Sequence, residues 1–377
     1  MSIQIKEVLT KRDLKKWVDF PNKMYKKVQS YVPFLMNDEI STFTKTKNPA
    51  YDFCETKLFL AYKENKIVGR IAGLINHAAN KKWNTKAIRY TRFDFIDDYE
   101  VSSALFNKVV EWGKENGLTE IMGPIGFTDM DHEGMLVEGF DELNMSITFY
   151  NFPYYLNHME KLGLKKDVDW VEYQLTVPEK VDEKLVKMSE FLQKRNGYKL
   201  ISYTDVKVLT ADAFEAFKVI DESFSVLYGT VPLTDRVIKQ VLKDNIPLMN
   251  LKYICSVKDK NDKIVGFAVL VPSIAKALKK SNGRMLPFGV FRLLKALKGN
   301  NNDTLEMFFI AVKPEHQKKG IPAILMNHLL KVCIENGIKI CETGPELEMN
   351  EDVQSLWKGF DVRNHKRRRC FKKKIKD

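Results

Sequence analysis

The chain has no Cys-x-x-Cys pair, and its cysteines, Cys54, Cys255, Cys333, Cys341 and Cys370, are five in number. An odd, scattered set argues against a disulfide framework and a zinc site, and for a reducing compartment. No apolar run reaches membrane-spanning length; Ile264 to Ala275 is interrupted by Pro272. The opening Met-Ser-Ile-Gln-Ile-Lys-Glu lacks the apolar core of a signal peptide. A soluble, cytoplasmic protein is therefore expected. Acidic residues are in the minority, 49 against 61 lysines and arginines, for a net charge of +12. That balance favours anionic partners such as nucleotides, phosphates, nucleic acid or acidic membrane without choosing among them.

What is present suffices for two domains. The 377 residues are long for one domain, and 44% hydrophobic residues can fill two cores. The most informative stretch is Leu305 to Leu330. Leu305 to Val312 is an apolar run of buried-strand length with one charge, Glu306. Pro314, lacking an N–H for a ladder, stops the strand. Gln317 to Gly320 make a turn, and Pro322 suits the first position of a helix. Ile324, Leu325, His328, Leu329 and Val332 then recur at helical spacing. A helix start of this kind offers free N–H groups and a positive dipole end to an anion. Gly320 permits close approach, and Lys318 and Lys319 add charge. On these grounds alone two readings stay open: a pyrophosphate site, or an ordinary strand–turn–helix with a solvated basic turn.

Gln317-Lys-Lys-Gly320-Ile-Pro322 resembles the Q/R-x-x-G-x-G/A loop of the GNAT N-acetyltransferase superfamily, and Val312-Lys-Pro314 looks like that family's V-x-P strand ending. The resemblance implies that Gln317, Lys318, Lys319, Gly320 and Ile321 hold the pyrophosphate of acetyl-CoA or another acyl-CoA. Pro322 departs from the pattern, because it cannot donate the N–H that Gly or Ala gives there. Phe309, Ile310 and Val312 would offer main-chain contacts to the cofactor arm. Glu306, six residues before Val312, stands where some GNAT histone acetyltransferases carry a general base, and simple alternation puts it on the strand face of Ile310. Asn350-x-x-Val-x-x-Leu-Trp357…Gly359-Phe360 resembles the family's N-x-x-A-x-x-L-Y…G-F helix, which adds Asn350 to the cofactor contacts. Trp357 replaces the Tyr that often protonates the leaving thiol, and no tyrosine occurs after position 304. Either another group or water supplies that proton, or catalysis is weak or absent. Glu346, Glu348 and Glu351 near this exit could attract a cationic amine or form a solvated acidic loop.

The chain also repeats itself. Leu105-Phe-Asn-Lys-Val-Val-Glu-Trp-Gly-Lys-Glu-Asn-Gly117 matches Leu325-Met-Asn-His-Leu-Leu-Lys-Val-Cys-Ile-Glu-Asn-Gly337 in its Leu, Asn, apolar pair and Glu-Asn-Gly. Each is followed by a short strand ending in Gly-Pro, at Gly123-Pro124 and Gly344-Pro345. In this register Asp97-Asp-Tyr-Glu100 lies opposite Gln317 to Gly320, and its carboxylates would repel a pyrophosphate. The fold class expected is α+β with a mixed sheet: two tandem GNAT-like domains, each a mostly antiparallel sheet flanked by helices. Residues 1–178 would be a degenerate copy without a CoA loop, and 179–377 the cofactor-binding copy.

The remaining features are weighed against plainer explanations. Asp129, Asp131, His132 and Glu133 are metal-ligand types, but their spacing fits no calcium or zinc template, so no metal is expected and a structured loop lining a cleft is preferred. Residues 273–303 are a basic, amphipathic insertion, read first as a lid on the other copy and second as a membrane or acidic-partner contact. Lys366 to Lys374 read as a charged edge strand, and no nucleic-acid module supports the alternative. Tyr198 to Leu209 read as a strand region, and Tyr228 to Leu233 as a loop between two helices, which the GNAT resemblance implies would help define the acceptor site. The expected function is acyl transfer, acetyl first, to an amine or small-molecule acceptor, by a monomer or homodimer. A catalytically weak CoA-binding scaffold and a Fem-like aminoacyl-tRNA-dependent transferase are the alternatives.

Overall fold

The computed structural model describes residues 2–299 and 302–375; Asn300 and Asn301 of the insertion lie outside the described residues. The first half runs β1 (Gln4–Glu7), α1 (Lys11–Met24), α2 (Met36–Thr42), β2 (Cys54–Lys63), β3 (Lys66–Asn76), α3 (His77–Trp83), β4 (Ala87–Phe95), α4 (Tyr99–Glu115), β5 (Glu120–Gly123), β6 (Met135–Glu138), α5 (Tyr155–Lys161) and β7 (Lys165–Thr176). The second half runs α6 (Glu183–Asn196), β8 (Lys199–Ser202), α7 (Val206–Phe224), α8 (Asp235–Asn245), β9 (Ile254–Lys258), β10 (Ile264–Pro272), α9 (Ala275–Ser281), α10 (Gly289–Lys298), β11 (Thr304–Val312), α11 (Ile321–Glu335), β12 (Ile340–Thr343), β13 (Glu346–Leu347), α12 (Glu351–Gln354) and β14 (Val362–Lys374).

Local chemistry sets most boundaries. The β2–β3 hairpin turns through Glu64 and Asn65, both at positive φ, as a two-residue hairpin turn needs. The strand expected from Tyr198 to Leu209 stops at Ser202. Asp205 accepts a hydrogen bond from the Lys207 N–H (2.7 Å) and so starts α7 at Val206. The paired Glu-Asn-Gly signals do what their likeness suggests: Gly117 and Gly337 sit at φ +66° and +69° just past α4 and α11.

All fourteen strands of the described residues join one sheet, ordered β1-β2-β3-β4-β5-β14-β7-β12-β11-β10-β9-β8, with β6 paired to β14 and β13 to β7. Pairing is antiparallel except for β4–β5 and β11–β12, which hold corresponding places in the two halves. The halves exchange their last strands. β7 ends the first half yet pairs with β12 and β13 of the second, and β14 ends the second yet pairs with β5 and β6 of the first. β7 and β14 then pair with each other along almost their whole lengths, from Lys165–Lys372 to Leu175–Val362.

This topology corrects the reading of Lys366 to Lys374 as an edge. The basic strand lies in the middle of the sheet, and its charges answer carboxylates across the seam. Lys366 and Arg368 are fully buried. The Arg368 guanidinium donates to Glu172 and to Asn144 Oδ1 (2.7 Å), and the Lys366 ammonium lies 3.1 Å from Glu172. Burial works against the Glu172 ion, but Arg368 and Lys366 override it and hold its carboxyl down at about 2. On the other face Arg369 grips Asp169 with two hydrogen bonds of 2.7 and 2.9 Å.

Apolar helix faces close the two sides of the second half. On one, Ile321, Ile324, Leu325 and Leu329 of α11 pack with Leu192 of α6 over Val265 and Leu305. On the other, Phe217 and Ile220 of α7 and Ile238 of α8 cover Phe267, Val269 and Ala311. Each such buried side chain contributes roughly 1.5–3 kcal/mol, so strand β11 is fixed from both faces.

Candidate active site

The turn between β11 and α11 leaves a cluster of donors free. After Val312 the chain makes one 3₁₀ turn at Pro314–His316, passes Lys318 at φ +60°, and enters α11 through Gly320 at φ +80°. No side chain caps α11. The N–H groups of Lys318, Lys319 and Gly320 find no acceptor among the described residues. Such N–H groups at a helix start form an anion site. Glycine suits position 320 because its backbone is left-handed; a Cβ there would also fall 2.5 Å from Leu192 Cδ1, and that side chain would have to shift. Gln317, Lys318 and Lys319 are exposed around it.

The corresponding helix start in the first half is closed. Asp98 caps α4 by accepting from the Glu100 N–H (3.0 Å) and pairs with Lys63 (2.7 Å). That pair holds the Asp98 carboxyl below its ordinary value.

β11 and β12 separate after Met307. They pair only from Thr304–Ile340 to Met307–Thr343, and the Gly344 N–H donates to the Met307 carbonyl (3.1 Å) as the last link. Beyond it β12 turns into β13 and follows β7, while Phe309, Ile310 and Val312 continue along β10. The side of β11 facing the gap is left without a strand partner. The apolar cavity beside it is lined by Leu270, Met307, Ile310, Met326, Leu330 and Trp357. In the first half the same edge is sealed by side chains. Phe95 donates its N–H to the Tyr155 hydroxyl (2.9 Å), and its carbonyl accepts from Tyr154.

Glu306 is 2% exposed and lies at the junction of the halves. Ser273, two residues before α9, donates to one carboxylate oxygen (2.6 Å); Ser146 of the first half donates to the other (3.1 Å). Burial pushes its carboxyl up to about 7, with Glu342 on the paired strand adding to the rise and the two serines opposing it. The shared face with Ile310 expected from simple alternation is not what forms. A bulge between Met307 and Phe309 shifts the phase, so Ile310 joins Leu305 and Met307 on the α11 side. Glu306 points the other way, towards the serines.

A second carboxyl was placed in the acidic exit cluster by sequence but given no proton role there. Trp357 Nε1 donates to both oxygens of Glu346 (3.0 and 3.1 Å), and burial raises that group to about 7 against the Trp357 and Thr343 hydrogen bonds. The signal available was Trp357 itself, an N–H donor at a position where an O–H is usual. Glu348 is instead tied to Lys166 and Arg367, and Glu351 is exposed in the first turn of α12. Asn350 caps α12, its side chain accepting from the Val353 N–H at 3.4 Å.

Of the acids around position 131, Asp131 serves an arginine. Arg92 makes two hydrogen bonds to Asp131 (2.6 and 2.8 Å) and pairs with Glu39 (2.9 Å). Burial disfavours the Asp131 ion, but the Arg92 charge holds its carboxyl far below the usual range. Among the described residues no three His, Cys, Asp or Glu side chains are grouped to hold a metal. The loop at Tyr228 is pinned to the first half: Arg89 donates to the Gly229 carbonyl (3.0 Å), Trp83 to the Thr230 carbonyl (2.9 Å), and Tyr228 to Asp167 (2.6 Å).

An uncapped helix start beside a split parallel pair is the arrangement to which known proteins can be compared. Residues 222–361 match the acetyltransferase (GNAT) family. A solved structure described as a tandem GNAT protein from the clavulanic acid biosynthesis pathway, without AcCoA, superposes with a TM-score of 0.57 at 11% identity, covering 100% of this chain and 99% of that one. The whole chain has the tandem GNAT fold. Two curated proteins are similar to this tandem GNAT chain throughout. Protein YghO of Escherichia coli (strain K12) is 24% identical, with 98% of this chain and 95% of that protein aligned. A bacterial ceramide synthase of Caulobacter vibrioides (strain NA1000 / CB15N) is 23% identical, with 98% and 96% aligned. Among the described residues of the tandem GNAT chain, no helix is long and apolar enough to cross a membrane.

Proposed function

We propose that the second copy, residues 179–377, binds an acyl-CoA and transfers its acyl group to an amine, while the first copy, residues 1–178, completes the cleft without binding cofactor. The observation that carries this is the contrast between two equivalent edges. The α11 start and β11 edge present unpaired main-chain groups, whereas the α4 start and β4 edge are occupied by Asp98, Tyr154 and Tyr155. The N–H groups of Lys318, Lys319 and Gly320 would hold the pyrophosphate, with Gln317 and Ile321 beside them, and the main chain of Phe309, Ile310 and Val312 would lie along the pantetheine arm. Asn350 supports this wall through its cap on α12.

Acyl-CoA, when bound, supplies an activated acyl group; the chain must manage the protons. Glu306, held at about 7 in a buried setting, accepts the proton of the incoming ammonium. Glu346, also near 7 and oriented by Trp357, takes the place of the absent tyrosine as the donor to the leaving thiolate. One group must be ionised and the other protonated, so activity should peak near neutral pH. Titrating the protein with acetyl-CoA by calorimetry, followed by an assay of thiol release with a panel of amines, tests the reading. Cofactor binding that survives Gly320→Glu would refute it.

A longer acceptor is favoured by one comparison. A ceramide is an N-acylated long-chain amino alcohol, and the relative named a bacterial ceramide synthase aligns along 98% of this chain. We infer that a long-chain amine is the acceptor class to test first, with both acetyl-CoA and a fatty acyl-CoA as donors. Thiol release with short polar amines and none with sphinganine would exclude it.

A further inference from the structure

The α9–α10 hairpin is anchored on one face only. Leu278, Leu293 and Ala277 pack with Val32, Leu35 and Leu143 of the first copy, and the Met36 N–H donates to the Gly283 carbonyl (2.9 Å). The lid reading is to that extent what forms. The opposite face is bare. Leu286, Phe288 and Phe291 are 79%, 63% and 68% exposed, and Leu294 is 39% exposed. Phe288, Phe291 and Leu294 recur every third residue, so they form one stripe continuing from Leu286. An apolar stripe of this size left in water marks a contact surface.

The charge around the stripe narrows the partner. From Ala275 to Lys298 there are seven lysines and arginines and no aspartate or glutamate. Lys276 and Arg284 approach Asp303 and Asp19 at 3.8 and 3.6 Å. Lys280, Arg292, Lys295 and Lys298 form no ion pair among the described residues. A second copy meeting this face through a two-fold axis would set like charges against one another. A surface that is apolar a few ångströms down and anionic at the top satisfies both features.

We propose that the α9–α10 hairpin is a membrane-docking surface that seats the protein on an anionic bilayer, Phe288 and Phe291 entering the acyl boundary and the basic side chains lying at headgroup level. The surface is tied to the catalytic cleft. The Ser273 hydroxyl donates to Glu306, and Asn302 donates to both the Ser273 and Ala296 carbonyls (2.8 and 3.1 Å), fixing the two ends of the hairpin at the wall of the site. Docking rests on the patch alone and does not require the acceptor to be a lipid.

The test uses the full chain without substrates, co-sedimented with vesicles of phosphatidylcholine or of phosphatidylcholine mixed with phosphatidylglycerol. Binding is expected only to the anionic vesicles and should weaken as salt is raised. Exposed side chains carry the test, so folding is kept. Phe288→Ser with Phe291→Ser should lower partitioning at least about tenfold, and Lys280→Glu or Lys295→Glu about fivefold or more each. Light scattering is run on the same samples. Absence of vesicle binding, equal binding by wild type and the serine variant, or a dimer that the serine variant dissolves while vesicles stay unbound would each overturn the proposal.

Discussion

Replacing Glu306 by glutamine separates two consequences of burying a carboxyl. In the folded protein the group is held near 7, against an ordinary value of 4.5. At about 1.4 kcal/mol per tenfold change in proton affinity, this amounts to about 3 kcal/mol. The sign follows from proton counting. Between 4.5 and 7 the folded state binds the proton and the unfolded state does not, so stability falls as pH rises through that window. The loss is absent below 4.5 and complete above 7. Glutamine keeps the size and removes the charge, and the Ser146 and Ser273 hydroxyls can rotate to suit an amide. At about pH 8 the Glu306→Gln variant should be more stable than wild type by up to about 3 kcal/mol, and at about pH 4 the two should coincide. Acyl transfer should fall by about two to four orders of magnitude, as loss of a general base demands. Urea denaturation at the two pH values and thiol-release rates are the measurements. A variant no more stable at pH 8 would show that Glu306 is not penalised by its burial, and one that keeps full activity would show that it is not used as a base.

Three other outcomes are expected. Gly320→Ala forces a side chain into a left-handed backbone and against Leu192, and should weaken acyl-CoA binding by calorimetry, whereas Asp98→Asn in the first copy should leave that affinity unchanged. Trp357→Phe removes the N–H that opposes the rise of Glu346, so the descending limb of the kcat/KM–pH profile should move to higher pH. Glu172→Gln leaves Arg368 buried without a counter-charge and Lys366 with Glu342 alone at 3.5 Å, and should cost about 3–5 kcal/mol in urea denaturation. In the wild type the contribution of that carboxyl is present above its ordinary value near 4.5 and is lost as pH falls through about 2.

The local parts of this fold were legible because local rules set them. The Glu-Asn-Gly helix ends and the Gln317–Gly320 turn each depend on residues within a few positions of one another. What failed depended on partners far along the chain. The basic run at Lys366 to Lys374 has the composition of a guarded edge, and nothing near it shows that Glu172 and Asp169 wait on the strand beside it. The phase of Glu306 failed for a shorter-range reason. One extra residue in the ladder at Met307–Phe309 reverses every side chain before it relative to those after it, and the apolar run Met307-Phe-Phe-Ile-Ala reads the same either way. Glu346 was seen as one of several acids; only the fold singles out the one beneath Trp357.

The exchange of β7 and β14 gives the first half a part in the second half's sheet. Had each half kept its own last strand, the second half would need no part of the first to finish its sheet beside β12. Because β7 fills that place, the strand that backs the split between β11 and β12 belongs to the first half, as does Ser146 against Glu306. The Tyr228 loop is held by Trp83 and Arg89 of the same half. On the proposed function, the Tyr154 and Tyr155 contacts that seal the β4 edge and the Asp98 cap on α4 then remove no site that the protein uses.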